Sequence, residues 1–212
     1  MTPGDGWPVD PAMIAPFLAA MALVELTPGP NMVWLAVLTL AQGRASGLRA
    51  VAGVTLGLAI YMTAAAFGVG SAIAAAPGLY DLLRLAGVVY LLWLAIDAWR
   101  DADDEDVQPG ATPFVRGLVA NLLNPKAALF YVTLLPGFID PARAPFRTQA
   151  LMFGASHIVI SVIVHAGIVF GAAHVATWLA RGADAWRAVR LRRIAAVGIG
   201  LVAIWLWWET RR

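Results

Sequence analysis

Long stretches without charge constrain this chain more than any other feature. Between Pro11 and Gly43 the only charged side chain is Glu25, and between Ala50 and Tyr80 there is none. Each stretch is longer than the ~20 apolar residues that a helix needs to cross a bilayer. Only 13% of the 212 residues are charged, whereas about a quarter are charged in an ordinary soluble domain. The sequence therefore predicts an integral membrane protein.

Six apolar segments follow one another along the chain. Their length and continuity favour helices over barrel strands, which need only about ten residues of alternating character. The sequence predicts one all-α transmembrane domain over residues 1–212. Its six predicted spans cover residues 13–40, 50–73, 79–99, 114–138, 149–179 and 191–208.

The placement of arginine predicts the orientation, because loops rich in Lys and Arg tend to stay in the cytoplasm. Nine arginines follow spans one, three and five, and five lie on the opposite side. This bias predicts that both termini are periplasmic. The acidic run at residues 101–110 is predicted to be a solvated cytoplasmic linker. The nine arginines are Arg44, Arg49, Arg100, Arg116, Arg181, Arg187, Arg190, Arg192 and Arg193.

Two of the six segments contain residues that a spanning helix usually avoids. Proline removes a backbone donor and clashes with the preceding turn, so each cluster should break its helix. In lipid the freed backbone groups must face protein or a water-filled cavity. The first cluster is Thr27, Pro28, Gly29, Pro30 and Asn31, and the second is Asn121, Asn124, Pro125 and Lys126.

The two broken segments are the first helices of two three-helix halves, residues 1–110 and 111–212. Because three crossings reverse the direction of the chain, the second half would be inverted relative to the first. Interrupted helices at corresponding places in inverted halves indicate a transporter with its binding site near the membrane midplane.

Four stretches also resemble a known family: LTPGPNM at 26–32, GLRAVAGVTLGL at 47–58, LLRLAGVVYLLWLA at 82–95 and NLLNPKAALFYVTLLPGF at 121–138. They are similar to the lysine exporter family, also called LysE or RhtB. This resemblance implies a bacterial inner-membrane protein with six helices. It also implies export of amino acids or their derivatives by proton antiport.

The residues of the two breaks suggest how a substrate would bind. If the helix restarts at Pro30, its exposed amides and positive dipole end would favour an anionic group such as a substrate carboxylate. Asn31, Asn121 and Asn124 would then supply further donors and acceptors. The alternative for these asparagines is hydrogen bonding between helices.

Glu25 is the only carboxylate well inside an apolar span, where burial penalises its charged form. It is therefore a candidate for proton coupling or substrate contact. The alternative is a structural ion pair with Lys126, and Lys126 could instead extend to the cytoplasmic interface.

Three histidines lie on the fifth segment, eight and nine residues apart: His157, His165 and His174. This spacing is interpreted as scattering them around the helix, which argues against a metal site and favours hydrogen-bonded bundle histidines over proton relays. The glycine pairs 53/57 and 167/171 are expected to allow close helix packing, with a homodimer contact as the alternative.

The remaining function classes have little support in the sequence. There is no cysteine, and the phosphate-binding, zinc-protease and serine-nucleophile motifs are missing. An enzyme, a bound cofactor and a nucleic-acid partner are therefore not predicted. The expected partners are a small-molecule substrate, protons and the bilayer. A passive small-solute channel or a membrane-embedded enzyme or scaffold remains the alternative.

Overall fold

The computed structural model describes residues 6–68, 77–100, 112–180 and 185–209, and all regular structure in these ranges is helical. Two predicted stretches lie outside the described residues: the cytoplasmic linker at 101–110 and residues 69–73 of the second span. A π-helical turn, Phe130–Leu134, and a 3-10 turn, Leu135–Phe138, follow the fifth helix. The helices are α1 (Pro11–Leu26), α2 (Pro30–Ala66), α3 (Pro77–Arg100), α4 (Pro113–Leu122), α5 (Pro125–Leu129), α6 (Phe146–Ala180) and α7 (Ala185–Glu209).

The first predicted break is present and separates α1 from α2. Thr27 and Gly29 each precede a proline, and both have extended backbone angles. A following proline disfavours the helical conformation of the residue before it, which explains both angles. The helix therefore ends at Leu26 and begins again at Pro30.

The second predicted break is present between α4 and α5. Asn124 precedes Pro125 and is extended, and its side-chain oxygen accepts a hydrogen bond of 3.0 Å from the Lys126 amide. This bond caps the new helix. The two parts, Pro113–Leu122 and Pro125–Phe138, are bent by 50° relative to each other.

A bend inside α2 replaces the loop predicted at residues 41–49. That prediction is wrong, because Gly43 alone leaves the helical region, with φ 80° and ψ 175°. A Cβ atom on Gly47 would meet the side chain of Thr39. On a straight helix, Thr39 and Gly47 would be about 12 Å apart along the axis. The two arms of α2, before and after Gly43, therefore fold back on each other. Glycine supplies the positive φ without steric cost.

Helix α2 is the centre of the bundle and packs most extensively against α6 and α4. Its contact with α4 uses glycine on both sides. A Cβ atom on Gly53 would meet the carbonyl group of Phe114, and one on Gly117 would meet the carbonyl group of Ala50. Gly53 therefore has the packing role predicted for it. Gly167 and Gly171 have no atom within 4 Å of a Cβ position, so the prediction of close packing within the chain is wrong for that pair.

Valine at Gly53 should destabilise the protein, because its side chain would overlap backbone that cannot rotate away. Overpacking typically costs ~1–3 kcal/mol, and we expect a lower melting temperature and less monodisperse protein in detergent. Gly167→Val is the matched control, since it adds the same atoms to a helix position with open space. Equal melting temperatures for the two variants would contradict the close α2–α4 contact.

Several of these helices are suited to a membrane. By length and composition, the described residues contain three helices that could cross one: Asn31–Ala66, Asp81–Arg100 and Phe146–Trp178. The bent pair α4 and α5 would make a fourth. The number of spans, six in the sequence prediction, stays a prediction.

Candidate functional site

Polar groups from five helices meet around one small cavity beside the two breaks. Its wall includes Glu25 from α1, Asn31 from α2, Asn121 from α4, Lys126 from α5 and His157 from α6. The cavity offers about 20 Å³ to the centre of a water molecule, which is room for about one water. The cavity is therefore too small for a larger solute and must widen to admit one.

The two breaks contact each other reciprocally. Asn31, the second residue of α2, donates a hydrogen bond of 3.2 Å from Nδ2 to Oδ1 of Asn121 in the last turn of α4. Lys126, the second residue of α5, donates one of 2.9 Å from Nζ to the carbonyl oxygen of Thr27 at the end of α1. The helix that begins at each break therefore binds the end of the helix that stops at the other.

The start of α2 is a positively charged corner of the cavity. Gly29 caps this helix without a side-chain hydrogen bond, so its first amides are not covered by a capping side chain. The side chain of Lys126 lies against Gly29, with Nζ 3.9 Å from the position of a Cβ atom. The helix dipole and the ammonium group together favour an anion here.

One donor in the cavity wall has no partner. Nδ2 of Asn121 is buried, and no acceptor among the described residues bonds to it. Leaving a buried donor unsatisfied costs about 1–3 kcal/mol. Nδ2 lies against Gly57 of α2, 2.7 Å from the position of a Cβ atom, and a water or substrate oxygen that reached it would recover that free energy.

The carboxylate of Glu25 faces two histidines of α6. Oε1 lies 3.0 Å from Nε2 of His157, and Oε2 lies 3.6 Å from Nδ1 of His165. Glu25 and Lys126 line the same cavity, but no ion pair within 4.0 Å joins these two described residues. The direct partners of Glu25 are thus the histidines, which the sequence interpretation did not place beside it.

A second, smaller cavity lies against the same breaks. It offers about 10 Å³ to the centre of a water molecule, and Tyr90 and Gly87 of α3 form part of its wall. Asn31 and Asn124 line both cavities. These two asparagines therefore form the partition between them.

Comparison with known proteins identifies the family of this chain. The family of LysE type translocators matches residues 22–210. The chain belongs to the LysE type translocator family. A homoserine/homoserine lactone efflux protein of Salmonella typhimurium is 30% identical over 77% of this chain and 82% of its own length. A leucine efflux protein of Enterobacter sp. (strain 638) is 29% identical over 89% and 88%. An uncharacterized membrane protein of Pseudomonas aeruginosa is 31% identical over 78% and 82%.

No solved structure matches this LysE type translocator at a significant level. Its family and the two efflux proteins are transporters and not enzymes. The alternative of a membrane-embedded enzyme is therefore excluded. Within the described residues, no group of three or more His, Asp or Glu side chains is arranged to hold a metal ion.

The structure brings most of the predicted site residues of this translocator together. Thr27 contributes its carbonyl oxygen, and its hydroxyl group bonds back to Leu23. Pro28 is exposed, Pro30 is the first residue of α2, and Pro125 lines the smaller cavity. The main cavity is lined by Gly29, Asn31, Asn121, Asn124, Lys126 and Glu25.

The sequence interpretation missed the histidine side of the site. Eight residues at about 100° each leave His157 and His165 only about 80° apart around the helix, so the interpretation that they scatter is wrong for this pair. Ser161 lies between them, and all three residues line the cavity. The regular spacing of four residues was the signal that could have found them. His174 is exposed.

Proposed function

We propose that this protein is a secondary active exporter of amino acids or their derivatives across the bacterial inner membrane, driven by proton antiport. Two of its relatives carry the names of efflux proteins for homoserine and leucine. The observation that carries the proposal is the small polar cavity at which both helix breaks meet. Interrupted helices that meet around a polar cavity are typical of the substrate sites of secondary transporters.

The proposed architecture is a single domain of six spans in two inverted halves, residues 1–110 and 111–212. Because α2 folds back at Gly43, its two arms belong to two different spans. The two helices on either side of each break are counted together as one span. The spans are then α1 with the first arm of α2, the second arm of α2, α3, α4 with α5, α6 and α7. The hydrogen bonds donated by Asn31 and Lys126 support an inverted repeat. In each of them, the second residue of the helix after one break bonds to the end of the helix before the other break. With the arginine-rich loops in the cytoplasm, both termini of this architecture are periplasmic.

The substrate carboxylate is proposed to bind at the positive corner formed by the start of α2 and Lys126. The unpartnered amide of Asn121 supplies a further donor, and Asn31 and Asn124 complete the polar wall. Apolar groups lie opposite and can contact a side chain of the substrate. They come from Val24, Met32, Leu58, Ala127 and Phe130.

Glu25 is the proposed proton-coupling residue. Glu25 is 8% exposed and is the acidic residue among those described in the cavity wall. A buried carboxylate must have a positive or hydrogen-bonding partner to remain charged. The proton and the amino group of a substrate are the two partners that an antiporter could exchange at this position.

Alanine at Asn31 should weaken apparent substrate affinity by about tenfold, because losing a buried hydrogen-bonding group costs ~1–3 kcal/mol. The test uses bacterial cells supplied with leucine-containing or homoserine-containing dipeptides, and it measures the rate at which the free amino acid appears outside. Gln42→Ala is the matched control, since it removes an exposed amide from the same helix. Unchanged export by Asn31→Ala, at the same amount of protein, would contradict a substrate role for the break.

A further inference from the structure

The carboxylate of Glu25 is shared by two imidazole groups that come from one helix. His157 and His165 are 1% and 5% exposed, so both are almost completely buried. The other titratable groups around the cluster are Tyr131 beside His157, Tyr61 stacked on Tyr131, and Lys126 across the cavity. The cluster thus contains one carboxylate, two imidazoles, two phenol groups and one ammonium group.

The hydrogen bonds of His165 determine which nitrogen can take up a proton. Nδ1 lies 2.8 Å from the carbonyl oxygen of Ser161, which can only accept. Nδ1 also lies 3.0 Å from the hydroxyl group of Ser161, which can donate or accept, and 3.6 Å from Oε2 of Glu25, which as a carboxylate only accepts. The two acceptors assign the hydrogen to Nδ1, and in the neutral ring Nε2 then has the free lone pair. Among the described residues no group bonds to that Nε2. An incoming proton can bind there without displacing a protein contact.

His157 can also change charge without moving. Its Nε2 faces the carboxylate of Glu25 at 3.0 Å and donates to it, while Nδ1 lies 3.2 Å from the hydroxyl group of Tyr131. A hydroxyl group can donate or accept by rotating its hydrogen. Tyr131 can therefore donate to neutral His157 and accept from the protonated ring.

We propose that His157 and His165 hold the proton that is exchanged, and that a substrate ammonium group competes with this imidazolium charge for the carboxylate of Glu25. This inference rests on the proposed function and adds the residues and the ligand group to it. A proton from the periplasm binds an imidazole lone pair, and the substrate leaves with its covalent bonds unchanged. On the cytoplasmic side the next ammonium group binds Glu25, and the imidazole releases its proton to water.

Electrostatics disfavours an imidazolium charge and a substrate ammonium group beside Glu25 at the same time. A buried carboxylate without a cationic partner is strongly destabilised, and two cations beside it repel each other at short range. Each state of the cycle therefore keeps one positive charge at Glu25. One proton moves inward for each amino group that moves outward, which is antiport.

The test measures coupling separately from binding. The double variant His157→Gln/His165→Gln, each single variant and the control His174→Gln are reconstituted in liposomes with an acidic interior. Valinomycin and potassium hold the membrane potential at zero. Strict exchange of one proton gives up to ~10-fold leucine accumulation per pH unit, since this ratio corresponds to 1.4 kcal/mol. We expect this accumulation for the wild type and the control. For the double variant we expect no accumulation but continued exchange of labelled for unlabelled leucine.

Three other outcomes have distinct meanings. Accumulation by the double variant equal to that of the wild type would overturn the inference and leave the proposed function intact. Loss of both exchange and accumulation in each single variant, with a normal elution profile in detergent, would place the histidines in substrate binding and also overturn it. A wild-type protein that moves neither leucine nor homoserine would overturn the proposed function, and the inference with it.

Discussion

Methionine at Lys126 should raise the apparent KM for leucine by at least ~30-fold, because removing one partner of a buried charged contact costs about 2–5 kcal/mol. Among the described residues, the ammonium group of Lys126 is the only side-chain cation in the main cavity wall besides the histidines. It lies beside the start of α2, where the substrate carboxylate is proposed to bind. Methionine retains the length of the side chain and removes its charge. Exchange of labelled leucine in liposomes measures the effect without requiring a proton gradient.

Two controls separate binding from folding in this experiment. Lys126→Arg retains the charge and the capacity to donate to Thr27, so it should keep more affinity than Lys126→Met. Arg49→Met removes an exposed charge and should leave leucine exchange unchanged. The melting temperature of Lys126→Met reports the loss of the hydrogen bond to Thr27. A normal KM for Lys126→Met would rule out the proposed carboxylate site.

The two helix breaks could be predicted because their cause is local. Proline determines the backbone of the residue before it, and the extended angles of Thr27, Gly29 and Asn124 follow from Pro28, Pro30 and Pro125. The bend at Gly43 could not be located in the same way. A glycine between Gln42 and Arg44 is compatible with either a loop or a single-residue turn, and the choice depends on how tightly Thr39 and Gly47 pack.

The site could be predicted only where its residues lie at the breaks. The bond from Lys126 to Thr27 uses a backbone oxygen, which the residue type does not reveal. The pairing of Glu25 with His157 joins residues 132 positions apart, and it depends on how α1 packs on α6. Eight-residue spacing was nevertheless sufficient to place His157 and His165 on one side of α6, and the angle per residue gives this result directly.

Glutamine at Glu25 should reduce leucine affinity by at least ~30-fold, because the amino group loses its charged partner, a loss of ~2 kcal/mol or more. Any flux that remains should not respond to a pH gradient. Glutamine has nearly the same shape and can still accept a hydrogen bond from Nε2 of His157, so the helix contact persists. Rates of exchange and gradient-driven accumulation in liposomes measure both effects.

The comparison with the histidine variants makes the Glu25→Gln result specific. If the carboxylate is the group for which proton and substrate compete, its loss impairs binding and coupling together, whereas loss of the two imidazoles impairs coupling alone. Asp140→Asn is the control, because it removes a carboxylate that lies outside the cavity in the turn after Phe138. Full leucine exchange by Glu25→Gln with a normal response to pH would show that neither the proton nor the ammonium group depends on this carboxylate. Coupling would then require a different titratable group, and His157, His165 and Lys126 are the candidates among the described residues of the cavity wall.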